Sequence, residues 1–158
     1  MMLPNLESGM GNFIRHRMWN SQKDPSDNIR KIIDSFNIKL EYVDNYPGII
    51  TKFDIPTVIK LSRYSSPFRT NWNIAHMLGH ILYEQWETCN NSEFYCKDKS
   101  HFSEILVEEF AFDLMLPDEE FKEYCDKVNR NLNLLGGHFL VPRDKIILKL
   151  KRIAEVET

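Results

Sequence analysis

His76-Met77-Leu78-Gly79-His80 sets two histidines four residues apart, and this spacing decides which structure and which chemistry the chain can support. Residues at positions i and i+4 of a helix lie on one face, one turn apart. Both imidazoles can therefore reach the same metal ion, for which histidine nitrogen is a common ligand. The stretch predicts a helix that carries two ligands of a metal site.

The residues around the two histidines indicate a helix that packs against other parts of the protein on two faces. On a helical wheel for residues 72–86, the histidines lie roughly opposite the aliphatic stripe of Ile74, Leu78 and Ile81. A solvated polar face is the ordinary interpretation of such a pair. Trp72 and Tyr83 flank the histidines, however, and make their face more aromatic than simple solvent exposure requires.

Glu104 is the candidate third ligand. In the segment 104–115 it falls within the angular range of the apolar stripe that includes Val107 and Phe110. An unpaired carboxylate on the side of a helix that faces the core destabilises the folded state by several kcal/mol. A cation or metal ion is therefore expected near Glu104. The alternative is an acid in the first helical turn, where the helix dipole favours negative charge. Glu108, one turn later, is placed to accept the second N–H of a ligating histidine.

Length and composition indicate one folded domain and exclude several classes of protein. The chain has 158 residues, of which 42% are apolar, and can bury about two-thirds of its unfolded surface. Its net charge of −3 argues against a dedicated binder of nucleic acid or of anionic membranes. No apolar run approaches the roughly 18 residues of a membrane span, and residues 1–10 do not resemble a signal peptide. With three cysteines, an odd number, we expect reduced thiols and a cytoplasmic location.

Periodicity predicts an α+β fold with the order helix, small antiparallel sheet, helices. Residues 1–25 show no sustained period and are interpreted as an N-terminal arm. Ser26 is the expected N-cap of a first amphipathic helix. The remaining elements are strands in 40–43, 48–53 and 57–61, helices near 71–86, 101–115, 118–130 and 142–154, and a loop over 87–99. Residues 26–158 are expected to form a single domain, with 132–158 as a helix-turn-helix-like subregion.

Three blocks of sequence carry a resemblance to a known family. They are RTNWNIAHMLGHIL at 69–82, EILVEEFAFDLMLP at 104–117 and VPRDKIILKLKRI at 141–153. These blocks are similar to the motifs R-x-x-F-T-L-A-H-E-L-G-H-L-L, E-x-x-A-N-x-F-A-x-x-L-L-M-P and the closing helix of the ImmA/IrrE family of metallopeptidases. The resemblance implies a zincin-like fold from about Ile29 onward, with Zn²⁺ bound by His76, His80 and Glu104.

The sequence departs from the family pattern at the residue that matters most for hydrolysis. Met77 stands at the general-base position, Glu108 replaces an asparagine, and Glu84 stands where relatives often have a further histidine. The resemblance implies that family members cleave a repressor protein of a phage, mobile element or stress response with a water activated by zinc. Loss of a general base typically lowers the rate 10²–10⁴-fold, unless Glu108 or Glu84 substitutes for it.

Two hypotheses follow. The first is a zinc-binding regulatory protein of this fold, which binds a repressor-like protein or peptide and has reduced or absent hydrolytic activity. The second is a metal-free protein-interaction or DNA-associated module with a vestigial site. The basic residues of the last helix fit a solvated face better than a DNA contact. A second metal site at Cys89, Cys96 and His101 lacks a compact ligand spacing and an evident fourth ligand.

Overall fold

The computed structural model describes residues 9–44, 48–52, 55–84, 93–94 and 101–157. In these ranges two helices and three strands are followed by helices, with one short strand between the first two of these, which confirms the predicted α+β class. The elements are α1 (Met10–Met18), α2 (Pro25–Ser35), β1 (Lys39–Val43), β2 (Gly48–Lys52), β3 (Ile55–Ser62), α3 (Pro67–Glu84), β4 (Glu93–Phe94), α4 (His101–Met115), α5 (Asp118–Lys127), α6 (Leu132–Phe139) and α7 (Arg143–Glu157).

The sheet is mixed, with the strand order β1-β3-β2-β4. β2 pairs antiparallel with β3, as expected, and also with β4, which lies in the stretch 87–99 that was predicted to be a loop, whereas β1 pairs parallel with β3. The chain reverses direction between β1 and β2 and again between β2 and β3, so β1 and β3 point the same way. The prediction of a purely antiparallel sheet was wrong for β1 because β3, and not β2, takes the place beside it.

The helix α3 lies at the centre of the fold, between the sheet side and α4. Ile74 and Leu78 of α3 are fully buried, as is Ile59 of β3. The helix α2 packs on α3 with its predicted isoleucine face, but it is capped by Asp24, whose carboxylate accepts from the Asp27 N–H at 2.8 Å. Ser26 is therefore not the N-cap. Within the described ranges, every helix is too short or too polar to cross a bilayer.

The segment expected to be an irregular arm contains the helix α1, and that expectation was wrong. Met10 and Ile14 of α1 are fully buried against the core. The guanidinium of Arg15 donates to the Leu114 carbonyl oxygen at 2.6 Å and pairs with Glu120 at 2.5 Å. The apolar residues of α1 follow a helical spacing over only two turns, with a glycine among them, and the helix packs on α4. The domain division at residue 26 itself stays a prediction.

Gly11 determines how closely α1 approaches α4. A Cβ atom at this position would lie 2.6 Å from the Phe110 carbonyl oxygen and 2.8 Å from the Asp113 Cβ. We expect Gly11→Ala to lower the free energy of unfolding by about 2 kcal/mol, since overpacking against backbone forces the helices apart. Gly137→Ala is the matched control, because a Cβ there meets nothing within 4 Å and alanine is favoured in a helix. Equal midpoints of urea unfolding for wild type and Gly11→Ala would contradict the close approach.

The C-terminal third contains one more helix than expected. Residues Asn129 and Arg130 have φ angles of 51° and 56°, so α5 ends at Lys127 and not near residue 130. The helix α6 follows and is capped by the Asn131 side chain, which accepts from the Leu134 N–H. Gly136 and Gly137 lie inside α6, in a stretch where no helix was predicted. A helix-turn-helix-like role for 132–158 stays a prediction.

Asp113 of α4 gives the stability of the fold a dependence on pH. Burial, chiefly, raises the pKa of this carboxyl to about 6, against the lowering effect of the Lys149 charge. Between about pH 4 and 6 the folded chain holds a proton on Asp113 that the unfolded chain has lost, so the contribution of this group to the free energy of unfolding is highest below about pH 4 and falls progressively as the pH rises to about 6.

We expect Asp113→Asn to gain stability relative to wild type as the pH rises from 4 to 7. The gain is about 1 kcal/mol, less than the roughly 3 kcal/mol that such a shift gives a fully buried group, because Asp113 is only partly buried. Urea unfolding at pH 4.5 and 7.5 measures it, with the exposed Asp126→Asn as control. A stability difference between Asp113→Asn and wild type that is the same at both pH values would show that this carboxyl titrates normally.

Candidate metal centre

The two helices that carry the candidate ligands pack directly on each other, and a glycine sets their distance. The helix α3 makes extensive contact with α4. At Gly79, between the two histidines, a Cβ would lie 3.0 Å from the Phe110 ring and 3.1 Å from a Val107 methyl group. Any larger residue would have to push α4 away by a few tenths of an ångström. Gly79 thus brings the side chains of α4 within reach of His76 and His80.

His76, His80 and Glu104 come together at this contact. The Nε2 atoms of the two histidines are 3.3 Å apart. The carboxylate of Glu104 spans both, with Oε1 2.9 Å from the Nε2 of His80 and Oε2 3.1 Å from the Nε2 of His76. Among the described residues this is a group of histidine and acidic side chains whose ligand atoms are close enough to hold a metal ion. His80 is fully buried, whereas Glu104 is partly accessible.

These three side chains fit Zn²⁺. Two histidine nitrogens and one carboxylate are a ligand set of catalytic zinc sites, with the fourth position left to solvent or substrate. Ligand atoms about 2.0–2.2 Å from a tetrahedral ion lie about 3.3–3.6 Å from one another. The separations of 2.9–3.3 Å are within a few tenths of an ångström of that range. The three residues therefore bring atoms that can ligate zinc close to one another.

The protonation state of His76 also suits a metal ligand. Burial, chiefly, and the neighbouring His80 lower the pKa of His76, while Glu104 and Glu108 act in the opposite direction. A lowered pKa keeps the imidazole neutral at physiological pH. Since only neutral imidazole binds a metal, His76 releases no proton when the ion enters.

Met77, at the general-base position, is buried in the apolar core. Its side chain is only 5% exposed and belongs to the main hydrophobic cluster. A thioether in this position accepts no proton from water. Glu84, the other residue considered as a substitute base, ends α3, and its side chain lies outside the described part of the structure, so its role stays a prediction.

Glu108 has a partner that the sequence did not predict. Its carboxylate oxygen accepts a hydrogen bond from Lys145 Nζ at 2.9 Å, and both side chains are largely buried. The same ammonium lies 5.0 Å from the centroid of the Trp72 ring. Lys145 therefore links α7 to both metal-site helices. A role for Glu108 in orienting a ligating histidine stays a prediction.

Several basic residues of α7 contact other parts of the chain. Lys149 is buried and pairs with Asp118, and Arg152 lies over the Phe112 ring at 4.2 Å. The expectation of a solvated basic face was wrong for Lys149. These contacts leave α7 with less positive charge to offer to DNA than its sequence indicates. The cysteines at 89 and 96 lie outside the described residues, as does the side chain of His101, so the second metal site was not tested.

Comparison with known proteins identifies the family to which the chain is similar. The sequence model of the IrrE N-terminal-like domain, a peptidase family, matches residues 29–129, which is more than half of the chain and includes the whole candidate centre. No curated protein sequence matches. A solved structure of a Mycobacterium tuberculosis transcriptional regulator is similar over 90% of this chain, with 16% identity and a TM-score of 0.66. The chain spans 44% of that regulator's length, and at this identity the likeness shows the fold alone.

Proposed function

The chain belongs to the family of the IrrE N-terminal-like domain, and from this we infer that it is a regulatory protein of the metallopeptidase fold which holds one Zn²⁺ and binds a repressor-type protein. The cytoplasm is the proposed location, and the control of a phage or mobile element is the proposed context. The observation that carries the proposal is that two histidine nitrogens and one carboxylate lie 2.9–3.3 Å from one another.

The proposed roles of the residues follow from their contacts. His76 and His80 supply neutral nitrogen ligands from one helix, and Glu104 supplies the carboxylate from the other. When bound, Zn²⁺ would act as a Lewis acid toward a carbonyl oxygen of the partner. Lys145 and Glu108 hold α7 against the two helices and so limit the movement of the ligands.

Hydrolysis of the partner is expected to be weak or absent. Peptide hydrolysis needs a group that takes a proton from water and returns one to the leaving nitrogen. Met77 does neither, and the carboxylate of Glu108 is engaged by Lys145. We therefore propose a protein that acts on its partner by binding.

Metal analysis and a binding measurement test this function. Purified from zinc-replete cells, the chain is expected to contain one zinc per molecule and to bind a repressor encoded beside its own gene. Removal of zinc by a chelator should weaken that binding, and zinc should restore it. A chain without metal that still binds DNA or the repressor would favour the metal-free module.

A further inference from the structure

A groove lies where the beginning of α3 meets the helices α6 and α7, and its volume is about 430 Å³. On the α3 side it is lined by Phe68, which is 39% exposed, and on the other side by Val141 and Pro142, just before α7. Gly136 and Gly137 of α6 line it without side chains. Such a concave, partly apolar surface favours the burial of an apolar side chain from another molecule.

The charged residues of the groove do not balance one another. Two arginines and one aspartate line it, which gives a net charge of +1. The guanidinium of Arg69 lies 2.6 Å from the carboxylate of Asp144, so these two charges cancel. Arg143 instead donates to the side-chain oxygen of Asn133 at 3.3 Å, and an amide carries no charge. Among the described residues, no carboxylate lies within 4 Å of the Arg143 guanidinium.

We propose that this groove binds a segment of the partner protein in which an apolar side chain stands next to an aspartate or glutamate. The apolar side chain fills the space beside Phe68, and the carboxylate pairs with Arg143. A guanidinium binds a carboxylate through two parallel hydrogen bonds, which are stronger than its bond to a neutral amide. The inference rests on the proposed function for the existence of a protein partner, but it does not require the bound metal.

The groove lies on the same side of α3 as the candidate ligands. Arg69 and His76 are seven residues apart, which is close to two full turns. Their side chains therefore leave the helix on one face, about 10 Å apart along its axis. An extended segment spans this distance with about three residues. One partner segment is thus long enough to reach the metal centre and the groove together.

NMR titration with short peptides tests the groove. The probe is the capped pentapeptide Ala-Glu-Leu-Glu-Ala, compared with Ala-Gln-Leu-Gln-Ala, which lacks the charge, and Ala-Glu-Ala-Glu-Ala, which lacks the large apolar side chain. We expect the probe to bind about five-fold more tightly than either comparison peptide, the effect of one exposed ion pair or one partly buried side chain. The backbone amides of Gly136 and Gly137 should shift on binding. Equal affinities for the three peptides, or shifts confined to other surfaces, would overturn the proposal.

Variants separate the apolar contact from the charge. Gly137→Leu should fill the groove and abolish peptide binding without unfolding the chain, because a Cβ at this position meets nothing within 4 Å and leucine is favoured over glycine in a helix. Arg143→Gln should bind the glutamate and glutamine peptides equally. Its control is Lys151→Gln, which removes an exposed charge from the same helix and should keep the preference. A folded Gly137→Leu variant that binds the probe as wild type does would contradict the groove as the binding site.

Two further outcomes have defined meanings. Amide shifts of Gly136 and Gly137 that depend on the concentration of the chain itself would show that a second copy fills the groove, and would overturn the proposal. Zinc content, measured in every sample, separates this inference from the proposed function. A zinc-loaded chain that does not distinguish the peptides overturns the inference alone, whereas a chain that takes up no zinc but prefers the probe overturns the proposed metal-dependent function alone.

Discussion

Glu104→Gln is expected to lower the affinity for Zn²⁺ by more than about 100-fold, so that the variant loses its metal on dialysis. Replacing a group that only orients a ligand already costs about 10–100-fold in metal affinity, and the loss of a direct ligand costs more. Among the side chains of α4 that the structure describes, this carboxylate is the one that joins the group formed with His76 and His80. Elemental analysis and competition with a chromogenic chelator measure the change.

The control for Glu104→Gln is Glu109→Gln, which changes an exposed acid on the same helix. This comparison also tests the alternative interpretation of Glu104 as an acid in the first turn of α4. In that case the substitution costs only about 0.3–1 kcal/mol of stability, the value of a favourable charge at a helix N-terminus. Full zinc content in Glu104→Gln together with a small loss of stability would support that alternative and remove the third ligand from the centre.

Met77→Glu is expected to increase the cleavage of a bound repressor by about 10²–10⁴-fold over wild type. This is the usual contribution of a well-placed general base. The new carboxylate would stand beside the two imidazoles on α3, where the family pattern has its glutamate. Cleavage is followed by electrophoresis and mass spectrometry of the products, with zinc content and unfolding measured for both proteins because Met77 is buried.

Met77→Gln is the matched control for this gain of function. It has the size of glutamate and its polarity, but it accepts no proton at neutral pH, so no gain is expected. Equal cleavage by wild type and Met77→Glu would show that another base operates. Glu108→Gln would then identify that base, since Glu108 has the carboxylate nearest to the ligands along α4.

The parts of the centre that depend on local geometry could be predicted from the sequence. The histidine pair follows from the helical period, and Glu104 was singled out because a carboxylate stood on an apolar helix face. The isoleucine face of α2 was predicted for the same reason. In each case the information lies within one or two turns of helix, where the distance between side chains is determined by the backbone geometry.

The parts that were missed depend on contacts between distant segments. The close approach of Gly11 to α4 holds the helix α1 against the core, and nothing in residues 1–25 alone indicates that contact. The direction of β1 relative to β3 depends on which strand takes the place beside it. The pair of Glu108 and Lys145 joins residues 37 positions apart. Nothing in the sequence around either residue predicts this contact.

The sequence by itself determined that two histidines share a helix face, that a glutamate occupies a burying face and that methionine stands in place of a base. Only the tertiary structure decided that these faces meet, that Gly79 lets the two helices approach, and that Lys145 neutralises Glu108 beside them. The physical reason is the range of the interactions. Helical periodicity acts over four residues, whereas packing and charge act through space between segments that the chain brings together only when it folds.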